Sequence, residues 1–190
     1  MKVYLAGPEV FLPDGREIIE RKRELCRRYG FEPSRRQGDF LQRGNRSKAE
    51  FGRLISQVNE TLIRESHLLI ANLTPFRGIS ADPGTVFELG FMCALDRPVF
   101  GYTNTSAGYL ERVSKDYFGG EVHLREDDRW IGSDGHLIED HEMVDNLMID
   151  GGIDRLGGTI IRRDVPRERM FTDLTAYEEC LRIAQESLLR

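Results

Sequence analysis

Three cysteines in 190 residues are too few and too widely spaced to staple a fold. Cys26, Cys93 and Cys180 fall on different expected helices and their number is odd, so reduced core thiols are expected rather than disulfides or a metal cage. No apolar run approaches the length of a membrane span. Met1-Lys2 leads directly into a strand without a secretory leader, so a cytoplasmic protein with no membrane partner is expected. Charge of one sign is also lacking: 27 Lys and Arg stand against 32 Asp and Glu, interspersed, for a net −5. That gives no electrostatic footprint for nucleic acid. No Gly-x-Gly-x-x-Gly follows the first strand, which argues against a dinucleotide-dependent oxidoreductase. Internal repeats and low-complexity segments are missing too. What is present, 39% hydrophobic and 31% charged residues, suits one domain over 1–190 with a real core.

The chain is organised around Asn72 to Met92. Leu68-Leu-Ile-Ala71 before it reads as a buried strand, and Thr85 to Leu95 reads as a helix. The loop between them is built of turn formers, Pro75, Gly78, Ser80, Pro83 and Gly84. Asp82 followed by Pro83 is a helix start, a capping acceptor and then a proline at the first helical position. A strand, a loop and a helix N-terminus in succession mark the place where open α/β sheets bind ligands.

Glu88 is the anomaly in that stretch. Val86, Phe87, Leu89, Phe91, Met92, Cys93, Ala94 and Leu95 surround it, so the helix is expected to be buried all round. A carboxylate there costs free energy unless it is paired, hydrogen-bonded or used. Its side chain leans back over Gly84 and Thr85, where the missing glycine side chain leaves room for a ligand. The helix dipole favours its ionised form. Two readings stand on spacing alone: a nucleophile for an electrophilic carbon such as an anomeric centre, or a structural partner of Arg77 or Arg97.

Ile70 to Gly78, Asp82-Pro-Gly-Thr85 and Phe87-Glu-Leu-Gly90 resemble the signature of the nucleoside 2-deoxyribosyltransferases. Tyr4-Leu-Ala-Gly-Pro-Glu-Val-Phe11 is similar to that family's first strand and following loop, and Asp145-Asn-Leu-Met148 to the segment a neighbouring subunit lends to the site. The resemblance runs in order over about four-fifths of the chain. It implies that Glu88 attacks C1′ of a 2′-deoxynucleoside, giving a covalent deoxyribosyl ester that a second base displaces. Tyr4 would hydrogen-bond the nucleophile, and Asp82 would hold sugar hydroxyls, cap the helix, or both. Gly7 and Phe11 would line the substrate site, with Phe11 either stacking on a base or plugging the loop. Asn59 would face the base or be an ordinary surface amide, with Glu60 as the alternative one position on. Asn146 and Met148 would come from the adjacent subunit, and Phe76 with Phe11 and Met148 would exclude water. No cofactor or metal is implied. The partners implied are deoxynucleosides, free bases and a second copy of the chain, in a dimer or a multiple of dimers.

The chain departs from the family at His67, where an acidic residue is common, and at its C-terminal helix, which puts a contact between the terminal carboxylate and the active-site tyrosine in doubt. Two rivals remain. One is an N-glycosidase acting on nucleosides or nucleoside 5′-monophosphates. Against phosphate stands Glu9, in the loop after the first strand, whose charge would repel it. The other is a non-catalytic nucleotide-binding module.

The remaining pattern predicts a doubly wound, flavodoxin- or Rossmann-like parallel sheet flanked by helices. Strands are expected at Lys2–Ala6, Phe31–Pro33, Leu68–Leu73, Pro98–Tyr102 and Thr159–Ile161. Helices are expected at Asp14–Arg28, Ala49–Glu65, Thr85–Leu95 and His141–Ile149, and a last one capped by Thr172 and Asp173. Ser34 to Lys48, with Arg35, Arg36, Arg43 and Arg46, reads as a mobile surface loop near the site, with a phosphate-binding patch as the alternative. Residues 104–141 read as a long excursion with one short helix near Glu111–Phe118, anchored by Trp130. The acidic and histidine residues 136–142 match no metal-binding spacing.

Overall fold

The computed structural model describes residues 1–35 and 41–189, so Arg36 and Arg190 lie outside the described residues. Five parallel strands form the sheet: β1 (Lys2–Ala6), β2 (Glu32–Pro33), β3 (Leu68–Asn72), β4 (Val99–Thr103) and β8 (Ile160–Arg162), in the order β2-β1-β3-β4-β8. Every residue of β3 and β4 is buried, as unbroken apolar runs in the middle of a two-sided sheet should be.

Helices α1 (Gly15–Arg28) and α6 (Thr175–Leu188) cover one face, packing Ile18, Cys26, Tyr177 and Leu181 on Val3, Ile70 and Phe100. Helices α2 (Lys48–Glu65), α3 (Pro83–Ala94) and α5 (Leu147–Arg155) cover the other, packing Ile63, Leu89, Met92 and Ile153 on Leu69, Ala71 and Val99. This is the doubly wound arrangement that the alternation of elements predicts. Helix α2 begins with a reciprocal cap: the Glu50 amide donates to Ser47 Oγ at 3.2 Å and the Ser47 amide to Glu50 Oε2 at 2.8 Å. The three cysteines are free thiols. No helix among the described residues is long and apolar enough to cross a membrane.

Four expectations need correction. The excursion is structured: helix α4 (Tyr109–Arg112) continues into a wider π turn (Val113–Tyr117), and β5 (Val122–Leu124), β6 (Trp130–Gly132) and β7 (Leu137–Ile138) form a separate antiparallel sheet. Strands of two or three residues are too short to show alternation. Helix α3 is not buried all round, since Phe87 is 59% exposed. Asn146 caps α5 from outside, accepting the Met148 amide at 3.1 Å, and that helix runs on to Arg155. Helix α6 starts at Thr175 after Leu174, while Asp173 accepts the Thr175 amide and Thr172 caps nothing.

Gly158 joins α5 to β8 where the chain presses against the sheet. A Cβ there would stand 1.8 Å from the Val99 carbonyl oxygen, and a backbone atom in a central strand has nowhere to go. Gly158→Ala should destabilise the fold by about 1–3 kcal/mol, seen as a lower urea midpoint with an unchanged slope.

Candidate active site

The site lies where the C-terminal ends of β1 and β3 meet the start of α3. Asp82 caps that helix, accepting the Thr85 amide at 2.9 Å and the Thr85 hydroxyl at 3.2 Å. A Cβ on Gly84 would come within 3.0 Å of Asp82 Oδ2, so the glycine keeps room for the capping carboxylate. One turn on, Glu88 points back toward β1. The Tyr4 hydroxyl donates to Glu88 Oε1 at 2.6 Å, and Asn59 Nδ2 on α2 donates to the same oxygen at 3.4 Å. Asn59 Oδ1 is buried with no hydrogen-bond partner among the described residues.

Neither Arg77 nor Arg97 pairs with Glu88. Arg97 donates to the carbonyls of Ile63, Arg64 and Ser66, at the far end of α2. The Arg77 guanidinium lies over the rings of Phe11 and Phe76. Glu88 is therefore a sheltered carboxyl that pairs with no cation among the described residues. Burial pushes its pKa up to about 7; Asp82 and Glu9 add to the rise, and the Tyr4 hydrogen bond opposes it. The helix dipole thus does not decide its charge; desolvation does. Burial and the neighbouring Glu88 push the Tyr4 hydroxyl far above its usual range, so it remains a proton donor at any ordinary pH.

A cavity of about 950 Å³ opens over these groups, with Tyr4, Gly7, Phe11, Asn59, Asp82 and Glu88 in its wall. Glu60 is not among the wall residues. Phe11, 53% exposed, stands at the cavity, and Phe76 stacks behind it at 5.5 Å. Phe76 therefore props Phe11 rather than facing the cavity. Asn146 and Met148 are outside this chain's cavity. The Asn146 side chain donates to Glu139 at 2.9 Å, and Met148 is 72% exposed. His67 accepts the Lys2 amide on its Nδ1 and donates its own amide to the Lys2 carbonyl, at the strand entry. Leu189 packs against Gly30, at the opposite end of α1 from the cavity loop.

Glu9 corrects the argument against phosphate. It is 2% exposed, and its Oε1 accepts from Lys22 Nζ at 2.8 Å, Asn72 Nδ2 at 3.0 Å and the Tyr102 hydroxyl at 3.1 Å. Burial alone would raise its pKa, but Lys22 and these hydrogen bonds outweigh burial and hold it below the usual range. Glu9 is thus a neutralised floor of the cavity, not a lone repelling charge. A Cβ on Gly7 would sit 2.0 Å from Glu9 Oε2, which is why that position is glycine. Lys22 was legible in principle: it lies four residues from both Ile18 and Cys26, on the buried face of α1.

A second buried pair was also missed. Asp145 Oδ2 accepts the Ala81 amide at 2.9 Å and the Arg112 guanidinium at 3.4 Å. Arg112 also donates to the carbonyls of Ile79, Ala107 and Val144. Together they clamp the loop that presents Asp82.

The family model described as nucleoside 2-deoxyribosyltransferase matches residues 3–148. The chain belongs to that family. An uncharacterized protein of Schizosaccharomyces pombe is 30% identical over 169 residues, covering 83% of this chain and 79% of the relative. A solved structure described as a 2-desoxiribosyltransferase from Leishmania mexicana is 24% identical, with a TM-score of 0.57 over 91% of this chain and 95% of that one. A conserved protein from Enterococcus faecalis V583 is 19% identical, with a TM-score of 0.56 over 96% and 98%. At these identities the two structures bear on the fold alone, and both share it. The family is one of glycosyl-transferring enzymes acting on nucleosides and nucleobases.

Two outcomes follow from the buried charges. Lys22→Met should destabilise the protein by about 3–5 kcal/mol by stranding Glu9, and adding Glu9→Gln should recover most of that loss in a denaturant double-mutant cycle. Glu88 has a folded-state pKa above its unfolded value, so the native state binds the extra proton between them. Stability is therefore fully present below about pH 4.5 and falls as pH rises through about 7. The stability of Glu88→Gln relative to the parent should grow between pH 5 and pH 8 in urea titrations.

Proposed function

We propose that the protein moves 2-deoxyribose between nucleobases through a covalent ester on Glu88. The observation that carries this reading is the Glu88 carboxyl itself, with no cationic partner among the described residues, hydrogen-bonded by Tyr4 and facing a cavity large enough for a nucleoside. In the first half-reaction a Glu88 oxygen bonds to C1′ as the C1′–N bond breaks, and the base leaves with the electron pair and gains a proton. In the second, a ring nitrogen of the acceptor base bonds to C1′, the ester C1′–O bond breaks and the acceptor loses its proton. Tyr4 orients the attacking carboxylate, and Asp82 holds sugar hydroxyls while capping α3. Asn59 supplies its unpartnered Oδ1 to the base. No cofactor enters these steps.

Asn146 and Met148 act on the cavity of a neighbouring copy in this reading. The exposed apolar Phe87 on α3 and Met148 on α5 provide surface for such an oligomer. A second reading, hydrolysis, follows from the same intermediate with water as acceptor. Its support is the exposure of Phe11, which leaves water a route to C1′ in a single chain. A binding module without turnover is the third outcome of the same test.

Incubation with deoxyinosine should add the mass of one deoxyribose to the protein, lost again on adding a second base. Glu88→Ala should show neither adduct nor exchange while keeping its fold. An adduct-free parent that still binds nucleoside would end the nucleophile assignment. Tyr4→Phe removes a bond that favours the carboxylate, so it should lower kcat by about 10–100-fold and shift the acid limb of the pH–rate profile above 7.

A further inference from the structure

The cavity is electrically divided. Asp82 and Glu88 stand together at the start of α3, and neither pairs with a cation among the described residues. Glu9 lies between but is neutralised by Lys22. The other end of the wall is formed by Arg16, Ile19 and Arg23 of α1 and by Ser34 and Arg35 just beyond β2. Positions 16, 19 and 23 recur at helical spacing, so one face of α1 turns two guanidiniums toward the same space. Arg23 is fixed there, donating to the Ser34 carbonyl at 2.5 Å and pairing with Glu20 at 3.3 Å. Arg35 follows β2, whose Val3↔Pro33 pairing brings that segment alongside Tyr4 and Leu5.

A cavity of about 950 Å³ is also generous for a bare nucleoside, standing near the top of the usual range of about 300–1,000 Å³ for ligand sites. A neutral deoxynucleoside has no use for the Arg16 and Arg35 guanidiniums that flank the already paired Arg23, whereas planar guanidinium forks match phosphate and carboxylate oxygens. We infer that the Arg16–Arg23–Arg35 end of the cavity binds an anionic group of the substrate, a phosphate or a carboxylate, carried on the part remote from C1′. This rests on the placement of C1′ at Glu88 under the proposed function. The substrate is then a deoxynucleoside made anionic either on its sugar, as a 5′-phosphate, or on its base. Glu9 is no obstacle to either.

Binding to the Glu88→Gln protein tests this without turnover. Calorimetric titration would compare deoxyadenosine and deoxycytidine with their 5′-monophosphates, and deoxyuridine with 5-carboxy-deoxyuridine. We expect one anionic form to bind at least roughly tenfold tighter than its neutral parent, with the advantage shrinking as salt rises. The phosphate and carboxylate arms say which source is used. Arg16→Ala and Arg35→Ala should each cut the ratio several-fold, while Arg21→Ala, outside this cavity, leaves it unchanged. Equal affinities in every pair, a preference indifferent to Arg16 and Arg35, or no binding of any probe would overturn the assignment. Tight binding with no adduct on the parent protein would sink the proposed function and leave the anion site standing.

Discussion

A carboxyl that folding has desolvated, with no cation beside it among the described residues, is the constraint on which the site depends. The Tyr4 hydroxyl, from a strand at one side of the sheet's centre, meets Glu88, from the helix that follows the next strand. Tyr4 is buried and, among the described residues, gives its hydroxyl to that acid alone, while Glu88 gains from burial nothing but a raised affinity for a proton. Such a group is costly in a resting protein and useful to one that must alkylate it transiently at a sugar carbon.

Holding that acid in place requires loops to be as firm as strands. The loops at the carboxyl ends of β1 and β3 carry backbone groups that no ladder satisfies. Two buried ion pairs supply what is missing. Glu9 and Lys22 tie the first loop to Asn72 and Tyr102 on β3 and β4, with the lysine ammonium over the rings of Tyr102 and Tyr177. Arg112 and Asp145 tie the second loop to the segment that leads into α5. Removing one partner of either pair leaves a lone charge in a dry place, so both behave as locks. The same pairing neutralises Glu9 on the cavity floor, in a wall that also holds Arg16 and Arg23 of α1.

Much of this was legible in the chain. The apolar runs of β3 and β4, the cap at Asp82-Pro83 and the spacing of α2 all identify their elements, because each is local and long enough for its period to show. Glu88 stood out because a single acid interrupted an apolar helix. Asn59 stood out only through the family resemblance, yet its Nδ2 reaches Glu88. The strands β5 to β7 were invisible because two or three residues carry no period, and their stability comes from one another.

The sequence by itself determined the order of elements and the parallel sheet and singled out the acid at position 88, since these follow from hydrophobic period, turn residues and a contiguous motif. Tertiary structure alone decided that Tyr4 touches Glu88, that Arg97 and Arg77 do not, that Glu9 is paired, and that arginines 16, 23 and 35 share one cavity. Each of those depends on distance between residues far apart in the chain. A charge announces its type in a sequence, but whether it is solvated, paired or stranded is set by what the fold brings within a few ångströms of it.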